Sequence, residues 1–429
     1  MKKIGVALLG LGVVGYGTYR ILTENREYIK KNHGVDVEVK HIIEKNISRV
    51  KELGIDTKIV SDDINDVLGD SDTQIVAEFF GGIEPAKSYL LSALKSGKSI
   101  VTANKELFSK HRIELAEAAK QGKAGLFFEA SCIGGVPIIR TLTTALQGDN
   151  ILSIAGIFNG TTNYILCKMT NEAMEYSDAL KEAQSLGYAE ANPTADVDGF
   201  DSMYKLSILA SLAFHKSVPI EKIKRVGISN ISKTDIEYGE EFRYTLKLLA
   251  SAKCDGNEVT EAVVYPTFVP HGHPLASVSG SFNAVMIKGS NVGDIMLYGR
   301  GAGDLPTGSA IVSDIVYCAK NPDAGRNLFD DKTATSISSK EIQTIDATDW
   351  RFYVRMSVAD KSGVLAGIAN VFAKYNISIS SLHQKESVNE TTSIVFFTHE
   401  TDEKTITEAL CKIELLDDVR SVDAIIRVI

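Results

Sequence analysis

Three spaced glycines near the start of the chain limit what it can fold into more than any other feature. Residues 4–9 are continuously apolar and read as a buried parallel strand. Gly10-Leu11-Gly12-Val13-Val14-Gly15 follows at once, and residues 16–28 read as a helix. In a strand–turn–helix unit Gly10 permits the tight turn, Gly12 lets a pyrophosphate approach the backbone, and Gly15 lets the helix pack against the strand. The helix N-terminus offers free N–H groups to that phosphate. Gly10, Gly12, Val13, Val14 and Gly15 are therefore candidate contacts for a dinucleotide.

The alternation continues, with strands at residues 35–43, 74–79 and 98–102 and helices at 84–96 and 110–121. This rhythm predicts a doubly wound parallel α/β sheet of the Rossmann type, with ligands beyond the carboxyl ends of its strands. The second strand runs into Glu44-Lys45. A carboxylate there favours NAD and a basic residue favours NADP, so the pair leaves the choice open. The loop Thr102-Ala103-Asn104-Lys105 lies where a cofactor or substrate is met, or serves as a plain helix cap.

With 429 residues and 44% hydrophobic composition, the chain has material for two or three domains. Its formal charge of −9 argues against a nucleic-acid partner, and no apolar run approaches a membrane span. Lys2 and Lys3 precede an apolar stretch in the manner of a secretion signal. The glycines interrupt that stretch, and no small-residue cleavage site follows. Five scattered cysteines without a C-x-x-C pair fit reduced thiols and a cytoplasmic location. His271 and His273 lack further ligands and read as a loop.

The richest chemistry lies at residues 187–205, where a loop with four carboxylates leads into a helix with an apolar continuation. Asp201 and Lys205 stand four apart on one helical face. Lys205 is either a proton donor to a developing alkoxide or a snorkelling partner of Asp201, and the residues alone do not choose. A second glycine-rich stretch, residues 299–310, precedes a helix at 310–319 and offers Gly303 as a further cofactor contact. Residues 259–269 and 282–298 read as strands of a mixed α+β substrate domain. Cys132, beside a glycine turn, has the surroundings of a thiol nucleophile but no assigned base.

The run from Gly187 through Asp201 to Lys205, the Thr102–Lys105 loop and Phe158-Asn159-Gly160-Thr161-Thr162-Asn163 together resemble the homoserine dehydrogenase family, over residues 4 to about 319. The resemblance implies reversible hydride transfer between NAD or NADP and aspartate 4-semialdehyde, giving homoserine, in threonine, methionine and isoleucine biosynthesis. By position it makes Lys205 the proton donor, with Asp201 and Lys105 at the reacting centre. Glu190, Asp196 and Asp201 then hold the substrate's ammonium end or orient Lys205, and Gly187 lies between substrate and nicotinamide. It also implies a monovalent cation, sodium or potassium, held by the Glu129 side chain or carbonyl and carbonyls near Cys132, Gly134 and Val136. A homodimer or larger homo-oligomer is expected as well. Two alternatives are an acylating semialdehyde dehydrogenase using Cys132 and a non-catalytic nucleotide and amino-acid sensor.

Beyond a loose stretch at residues 323–349, read as a linker, the order of elements is βαββαβ, a ferredoxin-like sandwich. Its D-x-x-G-V-L turn, with Asp360, Gly363, Val364 and Leu365, resembles the ACT domain, which implies regulation by an amino acid, with threonine the expected effector. The domains expected are residues 1–135 for the nucleotide (completed by about 300–322), 136–299 for substrate and dimerisation, and 350–429 for regulation. The regulatory module is expected to be separable, so that truncation after about Pro322 leaves the catalytic machinery intact.

Overall fold

The computed structural model describes residues 2–321, 325, 349–384 and 391–429. The linker read over residues 323–349 therefore lies outside the described residues, apart from Gly325 and Asp349. Two compact units result. One comprises Met1–Ile154, Tyr204–Lys222 and Phe282–Ser339, and the other Ala155–Met203, Ile223–Ser281 and Lys340–Ile429.

The first unit holds a parallel sheet of β1 (Lys2–Leu9), β2 (Val35–Ile43), β3 (Val60–Ser61), β4 (Thr73–Glu78), β5 (Ser99–Thr102) and β6 (Leu126–Phe127). Their spatial order is β3-β2-β1-β4-β5-β6. The chain thus leaves β1 in one direction and returns through β4 in the other, which puts a topological switch point at their carboxyl ends. Val6 and Leu8 from β1, Ile42 from β2, Ile75 from β4 and Val101 from β5 are almost fully buried in its core. The glycine-loop helix begins at Val13 rather than residue 16 and ends at Glu24; a second helix, Arg26–His33, replaces its expected continuation. The helix expected at 110–121 begins at Lys105, with a kink at His111.

The glycine-rich stretch before residue 310 is mostly helical too, because the helix is Asp304–Lys320. Pro306 is tolerated in its first turn, where N–H groups have no helical partner. This helix packs on Val13–Glu24 so closely that a Cβ on Gly17 would stand 2.3 Å from the Asp304 carbonyl oxygen. Residues 282–298, read as strand, form a hairpin of Phe282–Gly289 with Gly293–Arg300.

In the second unit, Tyr244–Cys254 and Val259–Pro270 form a long antiparallel pair. The C-terminal βαββαβ module follows the expected order. Asp349–Ala359 lies between Val419–Val428 and Thr391–Thr398, and Ile379–Gln384 forms the edge. Helices Val364–Lys374 and Glu403–Ile413 cover it, burying Ile368, Phe372, Ile406 and Ile413.

The module is joined to its neighbours by a strand pairing. Val419–Val428 adds in parallel to Val259–Pro270, pairing Thr267 with Arg427 and Phe268 with Val428. Side chains reinforce the join. Arg355 donates to Asp235 at 2.7 Å and to Asp423 at 3.0 Å, and the Tyr353 hydroxyl donates to Asp235 at 3.0 Å. Trp350 Nε1 donates to Glu261, whose side chain, like that of Asp235, is fully buried. Tyr265 and Arg427 share Glu403. Buried carboxylates require such partners, so these bonds link the module, which keeps its own hydrophobic core, to the strands beside it.

Candidate active site

At the carboxyl end of β1, Gly10 has a φ of +98°, and a Cβ on Gly15 would stand 2.2 Å from the Gly10 carbonyl oxygen. Both positions require glycine. Around Gly12 the space within 4 Å of a Cβ is open, as an approaching phosphate needs. Gly12 is the N-cap of Val13–Glu24 and supplies no capping side chain, so the first N–H groups are left to a ligand. The exposed Val13 borders this opening. Glu44 reaches back to the same turn. One carboxylate oxygen accepts from the Leu11 N–H and the other from the Asn46 N–H, both at 2.9 Å. Arg49, which the sequence reading passed over, donates from Nε to the Leu11 carbonyl at 2.9 Å, while Lys45 is exposed. A cationic guanidinium thus stands at the glycine turn together with the carboxylate.

Across the switch point, fully buried Glu78 ends β4 and accepts from the Thr102 hydroxyl at 2.5 Å. That hydroxyl accepts in turn from the Asn104 N–H. Asn104 Nδ2 donates to the carbonyls of Phe80 and Gly82, and its Oδ1 caps the helix at Leu107. The Thr102–Lys105 loop is therefore a helix cap, and a fixed one, with half-buried Lys105 as the first helical residue. Burial pushes the Glu78 carboxyl up to about 7, outweighing hydrogen bonds from Thr102, Phe80 and Asn104. Neither Glu78 nor its link to Thr102 was read from sequence, because a Glu closing an apolar strand carries no local signal.

The turn at residues 129–136 meets residues 300–302. Gly134 has a φ of +48°, and its Cβ would fall 2.3 Å from the Gly301 carbonyl oxygen; the Gly135 N–H donates to the Arg300 carbonyl. Gly303, with a φ of +120°, is the N-cap of Asp304–Lys320. The two oxygens of the Glu129 side chain accept from the N–H groups of Ile139 and Arg140, both at 2.8 Å. Ile133 and Gly134 are both left-handed, with φ of +56° and +48°. Asp314 accepts from the Glu129 N–H and pairs with Arg140. Burial raises Asp314 to about 7, the Glu129 charge adds to the rise, and Arg140 opposes it.

Cys132 does not have the setting of a nucleophile. It is 0% exposed, and its Sγ lies 4.0 Å from the Lys205 carbonyl oxygen, inside the core. A thiol that no substrate can reach is packing material, which removes the acylating alternative.

Lys205 is 8% exposed on the helix Phe200–Phe214, whose continuation Leu206 to Ala213 is buried throughout. Asp201 opens the same helix one turn earlier. In the second unit Asn159 Nδ2 donates to Asp201 Oδ2 at 2.9 Å and to Asp196 Oδ1 at 2.7 Å. Its Oδ1 accepts from the Thr162 N–H as N-cap of Gly160–Glu172. One amide thus fixes two carboxylates that lie 37 and 42 residues further along the chain. Its only local signal was that of a cap. Thr161 donates to the Tyr188 carbonyl at 2.6 Å, tying the Gly187 loop to the same helix. Gly187 has a φ of +76° and open space around it, and Glu190 is exposed on that loop.

In the C-terminal module Gly363, with a φ of +95°, caps Val364–Lys374. Asp360 and Leu365 are exposed beside it, and Val364 is buried.

Comparison with known proteins gives one answer along the whole chain. Residues 137–316 match the family described as homoserine dehydrogenase, residues 10–129 its NAD-binding domain, and residues 352–414 the ACT domain. Homoserine dehydrogenase of Bacillus subtilis is 38% identical over 430 residues, covering 100% of this chain and 99% of that one. The Mycobacterium tuberculosis enzyme is 39% identical over 436 residues, with 99% and 98% covered. The crystal structure of a homoserine dehydrogenase from Thiobacillus denitrificans superposes with a TM-score of 0.92 at 37% identity, covering 100% and 99%. A dinucleotide turn, a lysine-bearing buried helix with clamped carboxylates and full-length similarity place this chain in the homoserine dehydrogenase family.

Proposed function

We propose the following division of labour for the family's reaction, the interconversion of aspartate 4-semialdehyde and homoserine. The glycine turn and helix N-terminus at Gly10–Gly15 hold the cofactor's pyrophosphate, with Gly303 and Thr102 as further contacts. The bound nicotinamide supplies the hydride. Lys205 delivers a proton to the carbonyl oxygen as charge develops there, which keeps a full alkoxide from forming. Asp196 and Asp201, with Glu190 from the exposed loop, face the substrate's ammonium group, whose positive charge needs carboxylate partners. Gly187 leaves room between substrate and nicotinamide, and Lys105 lines the reacting centre.

The observation that carries this reading is the Asn159 amide holding both Asp196 and Asp201. One neutral amide orients both carboxylates beside the helix that carries Lys205, the group this reading makes the proton donor. The test is Lys205→Ala assayed for semialdehyde reduction, with cofactor binding and circular dichroism followed alongside. Turnover falls by about a hundred- to ten-thousand-fold while the nucleotide still binds. Near-normal turnover in a folded variant sinks the assignment.

Both NADH and NADPH serve as cofactor in this reading, because Glu44 and Arg49 bring opposite charges to the same turn. Glu44→Ala shifts preference towards NADPH by removing repulsion of the 2′-phosphate, and an unchanged ratio of kcat/KM values counts against it. Backbone carbonyls at Cys132, Gly134 and Val136, with that of Glu129, are proposed to hold sodium or potassium as a structural ion. The enzyme is proposed to be a cytoplasmic homodimer or larger homo-oligomer. Threonine is the proposed effector at the Asp360–Leu365 turn, checked by activity of the full chain against threonine concentration.

A further inference from the structure

Lys247, on the strand Tyr244–Cys254, is 2% exposed and has no part in the reaction described above. Its Nζ lies 2.6 Å from the Val278 carbonyl oxygen, 3.1 Å from Asn163 Oδ1 and 3.5 Å from Cys167 Sγ. The first two contacts take two N–H bonds and stabilise the turn at Val278 and the helix Gly160–Glu172. The third direction of the nitrogen is aimed at sulfur, the poorest acceptor and the one oxidisable atom of the three. Cys167 is only half-buried. It lines, with Thr170, Glu240, Thr245, Lys247 and His271, a pocket of about 320 Å³ through which a small oxidant reaches it. His271 faces Glu240 at 3.5 Å on the wall of the same pocket.

We propose that Cys167 and Lys247 are an oxidation site, joined by a covalent sulfur–oxygen–nitrogen bridge when the protein meets dioxygen. Thiol, amine and one dioxygen give the S–O–NH linkage and one water. The S–H bond and one N–H bond break, and S–O and O–N bonds form. Sulfur and nitrogen give up two electrons each, and dioxygen takes all four, one oxygen staying in the bridge and one leaving as water. The intervening oxygen suits the geometry, since a direct S–N bond would have to draw two packed side chains closer together. Burial lowers Lys247 from its ordinary value, against the pull of Cys167 and Glu240, and so favours the neutral amine the step requires. The bridge would tie strand Tyr244–Cys254 to the helix whose N-cap, Asn159, holds Asp196 and Asp201.

The full chain, exposed to dioxygen-saturated buffer or kept under a thiol reductant, is denatured, alkylated, digested and weighed. The expected product is a joined pair of peptides carrying Cys167 and Lys247, heavier than their sum by one oxygen and lighter by two hydrogens. It disappears on reduction and is absent from Cys167→Ser, a variant that keeps an acceptor for Lys247. The bridged chain is also expected to melt several degrees higher, because the link closes a long loop in the unfolded state. Full alkylation of Cys167 after oxygen treatment overturns the proposal. So does a Cys167 oxidised to sulfinic acid beside unmodified Lys247, or a direct S–N link without the oxygen.

Discussion

Glu78→Gln isolates the consequence of burying a carboxyl at the switch point. Glu78 is fully buried, and its pKa is raised from 4.5 to about 7, with burial the largest cause. In the unfolded chain the group ionises near its ordinary value, so between these two pH values the folded state binds more protons. Stability from this group is therefore complete below pH 4.5 and is lost as pH rises through about 7. At about 1.4 kcal/mol per pH unit, the whole gap corresponds to roughly 3 kcal/mol, most of it lost between about pH 5 and pH 8. Glutamine keeps the shape and the acceptor for the Thr102 hydroxyl but does not titrate. Melting temperatures of the two proteins, followed by circular dichroism across that range, should diverge as pH rises, the parent falling relative to the variant. For a unit of this size the divergence is about 5–10 °C. Curves that stay parallel, or that diverge towards acid pH, refute the reasoning.

Asn159→Ala removes the amide shared by Asp196 and Asp201. The expected result is a KM for the semialdehyde at least about tenfold higher, with cofactor binding unchanged; steady-state kinetics on both ligands checks it. Arg355→Ala leaves fully buried Asp235 without its cation, at a cost of about 3–5 kcal/mol. Urea unfolding of the whole chain should report it, and a loss under about 1 kcal/mol would mean that the C-terminal module is loosely attached after all.

The glycine turn declared itself in sequence because its requirements are local. A positive φ at Gly10 and a carbonyl 2.2 Å from any Cβ on Gly15 admit no other residue, so three glycines at fixed spacing specify the fold around them. The βαββαβ order of the last eighty residues was legible for the same reason, since period-two strands and an amphipathic helix are written in consecutive residues. Helix starts were less legible. Asp304 begins its helix among glycines that read as loop, because packing against Gly17 overrides a weak local preference. What tertiary structure alone decided are the meetings of distant residues. Examples are Asn159 with Asp196 and Asp201, Glu78 with Thr102, Asp235 with Arg355 and Tyr353, and Lys247 with Cys167. Buried polar groups must find partners, but which partner each finds depends on the three-dimensional path of the chain and leaves no mark in the residues beside it.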